Sequence, residues 1–294
     1  MQLPAALCLE GERSVRIFRL LGYDIRQGFR QNGYKLLVIM LIALTSCLEW
    51  YAYKNNSYGE FAAPQGTCMD YLFFMLRGMK AYEPERDLQF IFPVRWILIY
   101  FYLFYATLHY PYRDLLNSVG NQLLTLGRSR RSWWISKCVW NIMFVLCYFL
   151  TIYATVFGFC KVAGESTEWK ITEALVISFM DITFVSDGSM LAVCTVLLPV
   201  LVAMALSLLE MFLALFIRPF FGFCAVALLM LASAYCLSPW LIGNYAMPMR
   251  SVYAMESGVS FSCGLMMSLL VIVCCIWGGA KVFHRYDVIN MTEM

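Results

Sequence analysis

Charge is scarce in this chain. Of its 294 residues, 14% are Asp, Glu, Lys or Arg, and His occurs twice, at His109 and His284. A soluble domain carries about 25% charged residues. The motifs of common enzymes are missing too. Gly28 and Gly33 are five apart but are followed by Tyr34-Lys35, not by Lys-Ser or Lys-Thr, so there is no phosphate-cradling P-loop. There is no His-Glu-x-x-His and no Gly-x-Ser-x-Gly, which excludes the usual zinc-protease and serine-hydrolase sites. Twelve Cys are present without paired Cys-x-x-Cys units, so no structural metal site is expected. Most of them, Cys47, Cys147, Cys160, Cys194, Cys224, Cys236, Cys263, Cys274 and Cys275, lie in apolar runs as small hydrophobes. Cys68 alone is expected in a long outer loop.

What the chain has in excess is apolar surface. Sixty-one per cent of it is hydrophobic and mean hydropathy is +0.68. A ball of this length cannot hide that much apolar area. The expected fold class is an all-α polytopic membrane protein in one transmembrane domain, 1–294. Six spans are expected, at about 36–53, 94–110, 134–160, 190–217, 220–240 and 261–282. Glu210 in the fourth costs about 3 kcal/mol at mid-bilayer, but its sixteen Leu, Ile, Val and Phe return about 6. The second is the weakest, being short, Tyr-rich and headed by Arg95. No internal repeat or low-complexity segment interrupts the pattern, and the first 30 residues lack the apolar stretch of a secretory signal.

Lys and Arg set the expected orientation. Arg13, Arg16, Arg19, Arg26, Arg30 and Lys35 precede the first span. Arg113, Arg128, Arg130, Arg131 and Lys137 lie between or just inside the second and third, Arg218 joins the fourth to the fifth, and Lys281 and Arg285 close the sixth. These fourteen outnumber the remaining eight on the other side, so both termini are expected in the cytoplasm.

Four segments outside the spans carry further signals. In 12–33, Val15, Phe18, Leu21, Ile25 and Phe29 recur at helical spacing between arginines, as in a helix lying in the headgroup layer. In 111–133, Leu115, Leu116, Val119, Leu123, Leu124 and Leu126 mark one helical face, followed by Arg128, Arg130 and Arg131. Such a helix is either a grip for a soluble partner or a segment lying on lipid. The outer segment 54–93 has Met69, Leu72, Phe73, Leu76 and Met79 at helical spacing, and is expected to lie on the outer surface. The loop 238–260 holds Ser238-Pro239, Gly243-Asn244, Pro248 and Gly258, turn-formers in an apolar context, and is expected to be broken and partly re-entrant. Within the spans Glu210 is the one deeply placed acid, a candidate for gating, transport or a buried structural bond.

Certain phrases resemble the permease subunits of bacterial ABC-2-type transporters, particularly those of Firmicutes. They are Leu124-Thr125-Leu126-Gly127-Arg128-Ser129-Arg130-Arg131-Ser132-Trp133-Trp134-Ile135-Ser136-Lys137-Cys138, and Leu241-Ile242-Gly243-Asn244-Tyr245-Ala246-Met247-Pro248-Met249-Arg250-Ser251. Asp70 through Gly78, and Pro93 with Trp96, fit as well. The resemblance runs over about residues 20–290. It implies a type V exporter-like fold, with an interfacial helix at 12–33, a coupling helix at 112–132 and an outer gate at 243–260. The ATPase-coupling residues it implies are Leu115, Leu116, Val119, Leu123, Arg128 and Arg130. Glu210, Asn244 and Tyr245 are candidate gating or buried polar residues. It also implies a separate ATPase subunit that binds the ATP, a second permease subunit as a copy or a different chain, and a bacterial plasma membrane. Membrane lipids are expected as partners, and nucleic acid, metal, cofactor and catalytic residues are not. The expected function is an export permease for a hydrophobic or amphipathic cargo such as a peptide, an antimicrobial or a lipid-linked molecule. The alternatives from the residues alone are a stand-alone carrier or channel using Glu210, and a non-transporting scaffold.

Overall fold

The computed structural model describes residues 20–58, 64–82, 90–116, 130–180, 182 and 185–285, without the side chains of 58, 109, 112–116, 284 and 285. Among them the structure is all-helical, with two isolated bridges, Thr67 to Ser166 and Ser251 to Val259, and no strand. Helix α1 covers 20–32. It is followed by α2 (Lys35–Tyr58), α3 (Cys68–Leu76), α4 (Val94–Leu116), α5 (Arg130–Ala163), α6 (Glu173–Phe179) and α7 (Gly188–Leu213). Then come α8 (Pro219–Tyr235), the 3-10 helices Ile242–Ala246 and Pro248–Arg250, and α9 (Phe261–Arg285). Helices α2, α5, α7 and α9 are long and apolar enough to cross a membrane. Helices α4 and α8 contain shorter apolar stretches, Val94–Leu108 and Pro219–Tyr235.

The bundle is built around α7, which packs on α3, α4, α5, α8, α9 and both 3-10 helices. Its most apolar stretch is 78% buried, against 17% for α9. Helix α7 is apolar all round, which suits a central helix. Helix α9 presents Met266, Leu270, Val273 and Trp277 outward, as a lipid-facing helix does. In α2 the buried stripe is Ile39, Ala43, Cys47, Trp50 and Lys54, a spacing of three and four. Lipid tails are as apolar as Leu, so apolar contact alone does not hold such helices together. Polar links supply part of the register. Ser207 Oγ donates to Asn141 Oδ1 at 2.7 Å, Tyr153 OH to the Val196 carbonyl at 2.7 Å and Tyr148 OH to the Ile99 carbonyl at 2.8 Å.

Several expected boundaries move. Helix α4 runs through Pro111 to Leu116 and α5 begins at Arg130, so 112–116 and 130–132 belong to these two long helices. Residues 117–129 of the expected coupling helix, and 12–19 of the interfacial one, lie outside the described residues. The larger difference is α3. Instead of lying on the outer surface, all nine of its residues are buried. Its sequence, Cys-Met-Asp-Tyr-Leu-Phe-Phe-Met-Leu, has no polar face to turn toward water. Cys68, expected in a loop, is its first residue and is 4% exposed.

A strap from residues 164–172 holds α3 down. Thr67 and Asp70 form a reciprocal capping box, and the other Asp70 oxygen accepts from the Thr172 amide at 2.7 Å. Burial pushes the Asp70 carboxyl above its usual range, against these bonds. Beside it Glu165 pairs with Lys54, and accepts from Tyr71 OH at 3.0 Å and from the Gly66 amide at 2.6 Å.

Candidate functional site

Two polar constructions stand out, one at each end of the bundle. At the end where α4 stops and α5 starts, Asp24 of α1 is fully buried. Lys137 Nζ donates to its Oδ1 at 2.7 Å, Tyr110 OH to the same oxygen at 3.0 Å, and Ser136 Oγ to Oδ2 at 2.5 Å. Lys137 is also fully buried, with its ammonium 4.5 Å from the Tyr110 ring centre and 5.2 Å from that of Trp133. A buried ion pair is tolerable when further donors satisfy the carboxylate and the cation is cradled. Here three donors and two aromatic faces do so.

The joint therefore ties three elements, α1, the foot of α4 and the first turns of α5. The last two flank residues 117–129. Close packing completes it. A Cβ at Gly28 would stand 1.9 Å from Trp140 Nε1, so only glycine lets α1 lie against that ring. Trp140 cannot retreat, because it packs on Tyr110 at 4.5 Å and on Phe144 at 5.5 Å. Gly28→Ala should cost about 1–3 kcal/mol by overpacking, read as a lower midpoint of thermal unfolding in detergent.

The buried stripe of α1 is Asp24, Gly28 and Asn32, one residue every four. The apolar Leu21, Ile25 and Phe29 are half-buried at its sides, and Arg26 and Arg30 are exposed. Sequence reading assigned α1 to the headgroup layer by its apolar and basic residues and passed over this stripe. Asp24 did carry a signal, as the one acid between Arg13 and Lys35. Lys137 was read as part of the basic side, yet its charge is spent on Asp24.

Of the expected coupling residues, Arg130 is exposed at the start of α5. Leu115 and Leu116 lie in the last turn of α4 with side chains outside the described residues, and Val119, Leu123 and Arg128 fall outside them altogether. The gating candidates are all buried, but not together. Glu210 in α7 has Oε2 3.4 Å from Thr107 Oγ1 of α4, while its Oε1 has no hydrogen-bond partner among the described residues. Tyr245 donates to the Pro239 carbonyl at 2.9 Å.

Asn244 belongs to the second construction, at the opposite end. Arg250 is fully buried there and has oxygen acceptors rather than a carboxylate around it. Its Nη1 donates to Asn244 Oδ1 and to the Ser233 carbonyl, Nη2 to Ala234 at 2.7 Å and Lys80 at 3.1 Å, and Nε to Met79 at 3.0 Å. Asn244 Nδ2 in turn donates to the carbonyls of Cys236 and Ser238, each at 3.0 Å. Two of these carbonyls close the last turn of α8, the negative end of that helix, which favours a cation. Burial pulls Arg250 down to about 10, so it stays charged at neutral pH. Arg250 thus pins Met79 and Lys80, the end of α8 and the first 3-10 helix to one another.

No family model, curated protein or solved structure matches this chain. Among the described residues no group of His, Cys, Asp and Glu is placed to hold a metal ion. Neither construction offers a nucleophile or a paired acid and base open to a substrate. Both hold chain elements to one another.

Proposed function

We propose that this chain is the membrane-spanning permease of an ATP-binding-cassette transporter of the ABC-2 type, driven by a separate ATPase subunit. The observation that carries the reading is the joint at Asp24. It binds the N-terminal helix to both helices that flank 117–129, so a push on that segment moves three elements at once. The order of elements supports it, with a basic amphipathic helix first and a broken, buried 3-10 segment between the last two apolar helices. In this reading α4 and α8 cross the membrane as well. Twenty-three helical residues span about 35 Å and seventeen about 26 Å, and a span needs about 17–25 residues. Both termini then face the cytoplasm of a bacterial cell, and 112–132 meets the ATPase below the inner leaflet.

ATP closes the ATPase dimer, the foot of α4 and α5 is displaced, and the Asp24–Lys137 pair carries α1 with it. Two such bundles, as two copies or two different chains, rock against each other and open a path between them. The permease itself makes and breaks no bonds. The apolar and aromatic character of the helices suits a hydrophobic or amphipathic cargo, such as a peptide, an antimicrobial or a lipid-linked molecule.

Glu210 favours a second reading, a carrier coupled to protons, because one of its buried oxygens is unpartnered among the described residues. Efflux of a fluorescent amphipathic peptide from cells separates the two. The permease reading expects Glu210→Gln to leave efflux within about twofold, since a conservative amide keeps the bond to Thr107, and expects ATP depletion to abolish it. Loss of efflux in Glu210→Gln together with indifference to ATP depletion selects the carrier.

A further inference from the structure

The strap over α3 is fastened in an unusual way between Gly164 and Lys170. Thr167, Glu168, Trp169 and Lys170 are exposed, and Trp169 is the one apolar side chain in the stretch. Burial of apolar area, the main cohesive term in a folded chain, therefore does not hold these residues down. Their contacts are polar. The Cys68 amide donates to the Ser166 carbonyl and the Ser166 amide to the Gly66 carbonyl, each at 2.9 Å. Thr67 Oγ1 donates to the Lys170 carbonyl at 2.7 Å, and Gln65 Nε2 to the Gly164 carbonyl at 2.8 Å. Bonds of this kind near water exchange with water at little net cost. Glu165 is different, because it alone turns its side chain inward. Its carboxylate and the Lys54 ammonium form a pair with side chains 5% and 3% exposed, joined by Tyr71 OH and the Gly66 amide. The two ends of the stretch differ as well. Gly164 follows directly on α5 with φ +74°, and a Cβ there would meet nothing within 4 Å. Ile171, just past the other end, is fully buried in the core.

We propose that residues 164–170 are a lid that opens locally over the start of α3, pivoting at Gly164 and Ile171 and latched by Glu165 on Lys54. Beneath the closed lid lies Cys68, 4% exposed, with its Sγ 3.9 Å from the Glu168 carbonyl. Opening takes that carbonyl away and bares the thiol. Asp70 keeps the Thr172 amide, which lies beyond the pivot, so α3 stays seated while the lid is up. Segments with few buried apolar contacts and exposed hydrogen bonds are the ones that open without global unfolding. The lid belongs to this end of the bundle whichever side of the membrane it faces, and it does not depend on the permease reading.

Timed reaction of the purified chain in detergent with N-ethylmaleimide, read cysteine by cysteine by peptide mass spectrometry, tests this. Exposed Cys236, Cys263 and Cys274 set the fast limit. Cys138, 1% exposed near the other end of α5, sets the rate at which the whole bundle opens. Cys68 is expected to react about tenfold or more faster than Cys138. Glu165→Gln keeps the length of the side chain but leaves Lys54 without its anion, and should speed Cys68 by about a further tenfold with Cys138 unchanged. Tyr71→Phe removes one donor to Glu165 while keeping the ring 5.7 Å from that of Phe159, and should speed Cys68 about threefold. Size-exclusion chromatography identifies any variant that fails to fold, and Tyr71→Phe, the milder change, remains decisive. Equal rates at Cys68 and Cys138 in the unaltered chain overturn the proposal, as does a variant in which both cysteines speed up together or Cys68 does not change. Exposure of Cys68 would then come from unfolding of the whole and not from a lid. No ATPase and no cargo enter the measurement, so its failure leaves the permease reading standing, and absence of an ATPase partner leaves the lid standing.

Discussion

Lys137→Met is expected to cost about 3–5 kcal/mol, the usual penalty for stranding one member of a buried ion pair. The Asp24 carboxylate would keep Tyr110 and Ser136 as donors but lose the Lys137 ammonium, at 2.7 Å, in a fully buried site. Methionine preserves most of the lysine stem, so the loss reports on charge and not on volume. A second change should rescue it. Asp24→Asn with Lys137→Met removes both charges and leaves an amide whose oxygen accepts from one hydroxyl and whose NH2 donates to the other, and should recover more than half of the loss. Thermal or denaturant unfolding in detergent measures both. In the same samples α1 should become sensitive to protease near Arg26 and Arg30 in the single variant and not in the double one. A neutral Lys137→Met would mean that α1 is not held at this joint.

Arg250→Met should be nearly as damaging, at about 3 kcal/mol or more. Five oxygens accept from this guanidinium, four of them backbone carbonyls. Each one left buried without a donor costs about 1–3 kcal/mol, and some will find other partners as the site relaxes. Arg250→Lys should fall between, because an ammonium has three donors and no planar fork with which to reach five acceptors. The expected signature is local. Protection of backbone amides from hydrogen exchange should fall in Ile242–Ala246 and in the last turn of α8, and remain in α5. Uniform loss of protection would contradict the role of Arg250 as a pin for this end of the bundle alone.

The long helices were legible because lipid imposes a simple demand, a stretch of about 20 apolar residues, and α2, α5, α7 and α9 meet it to within a few residues at each end. The broken segment 238–260 was legible from its turn-formers. Burial of α3 was not read, although a nine-residue helix without a polar face implies it. The polar joints were the least legible. Asp24, Lys137 and Tyr110 are far apart in the chain, and each has an ordinary local explanation, as a helix surface acid, a membrane-edge cation and an interfacial tyrosine. Only the fold makes them neighbours. Arg250 was counted among the charges outside the membrane for the same reason, though it is fully buried. Glu210 was found because an acid inside an apolar run is conspicuous, and its partner Thr107 was not, because a threonine in a helix is not.

The central claim is that force enters through 112–132 from a soluble ATPase. Replacing Leu115, Leu116, Val119 and Leu123 with Ser or Gln and measuring how much of a co-expressed ABC ATPase subunit co-purifies with the chain tests that claim most directly. The account predicts normal insertion and thermal stability with loss of the ATPase by about tenfold or more, a little over 1.4 kcal/mol of association energy. ATPase that stays bound at the unaltered level, with all four residues made polar, would contradict it.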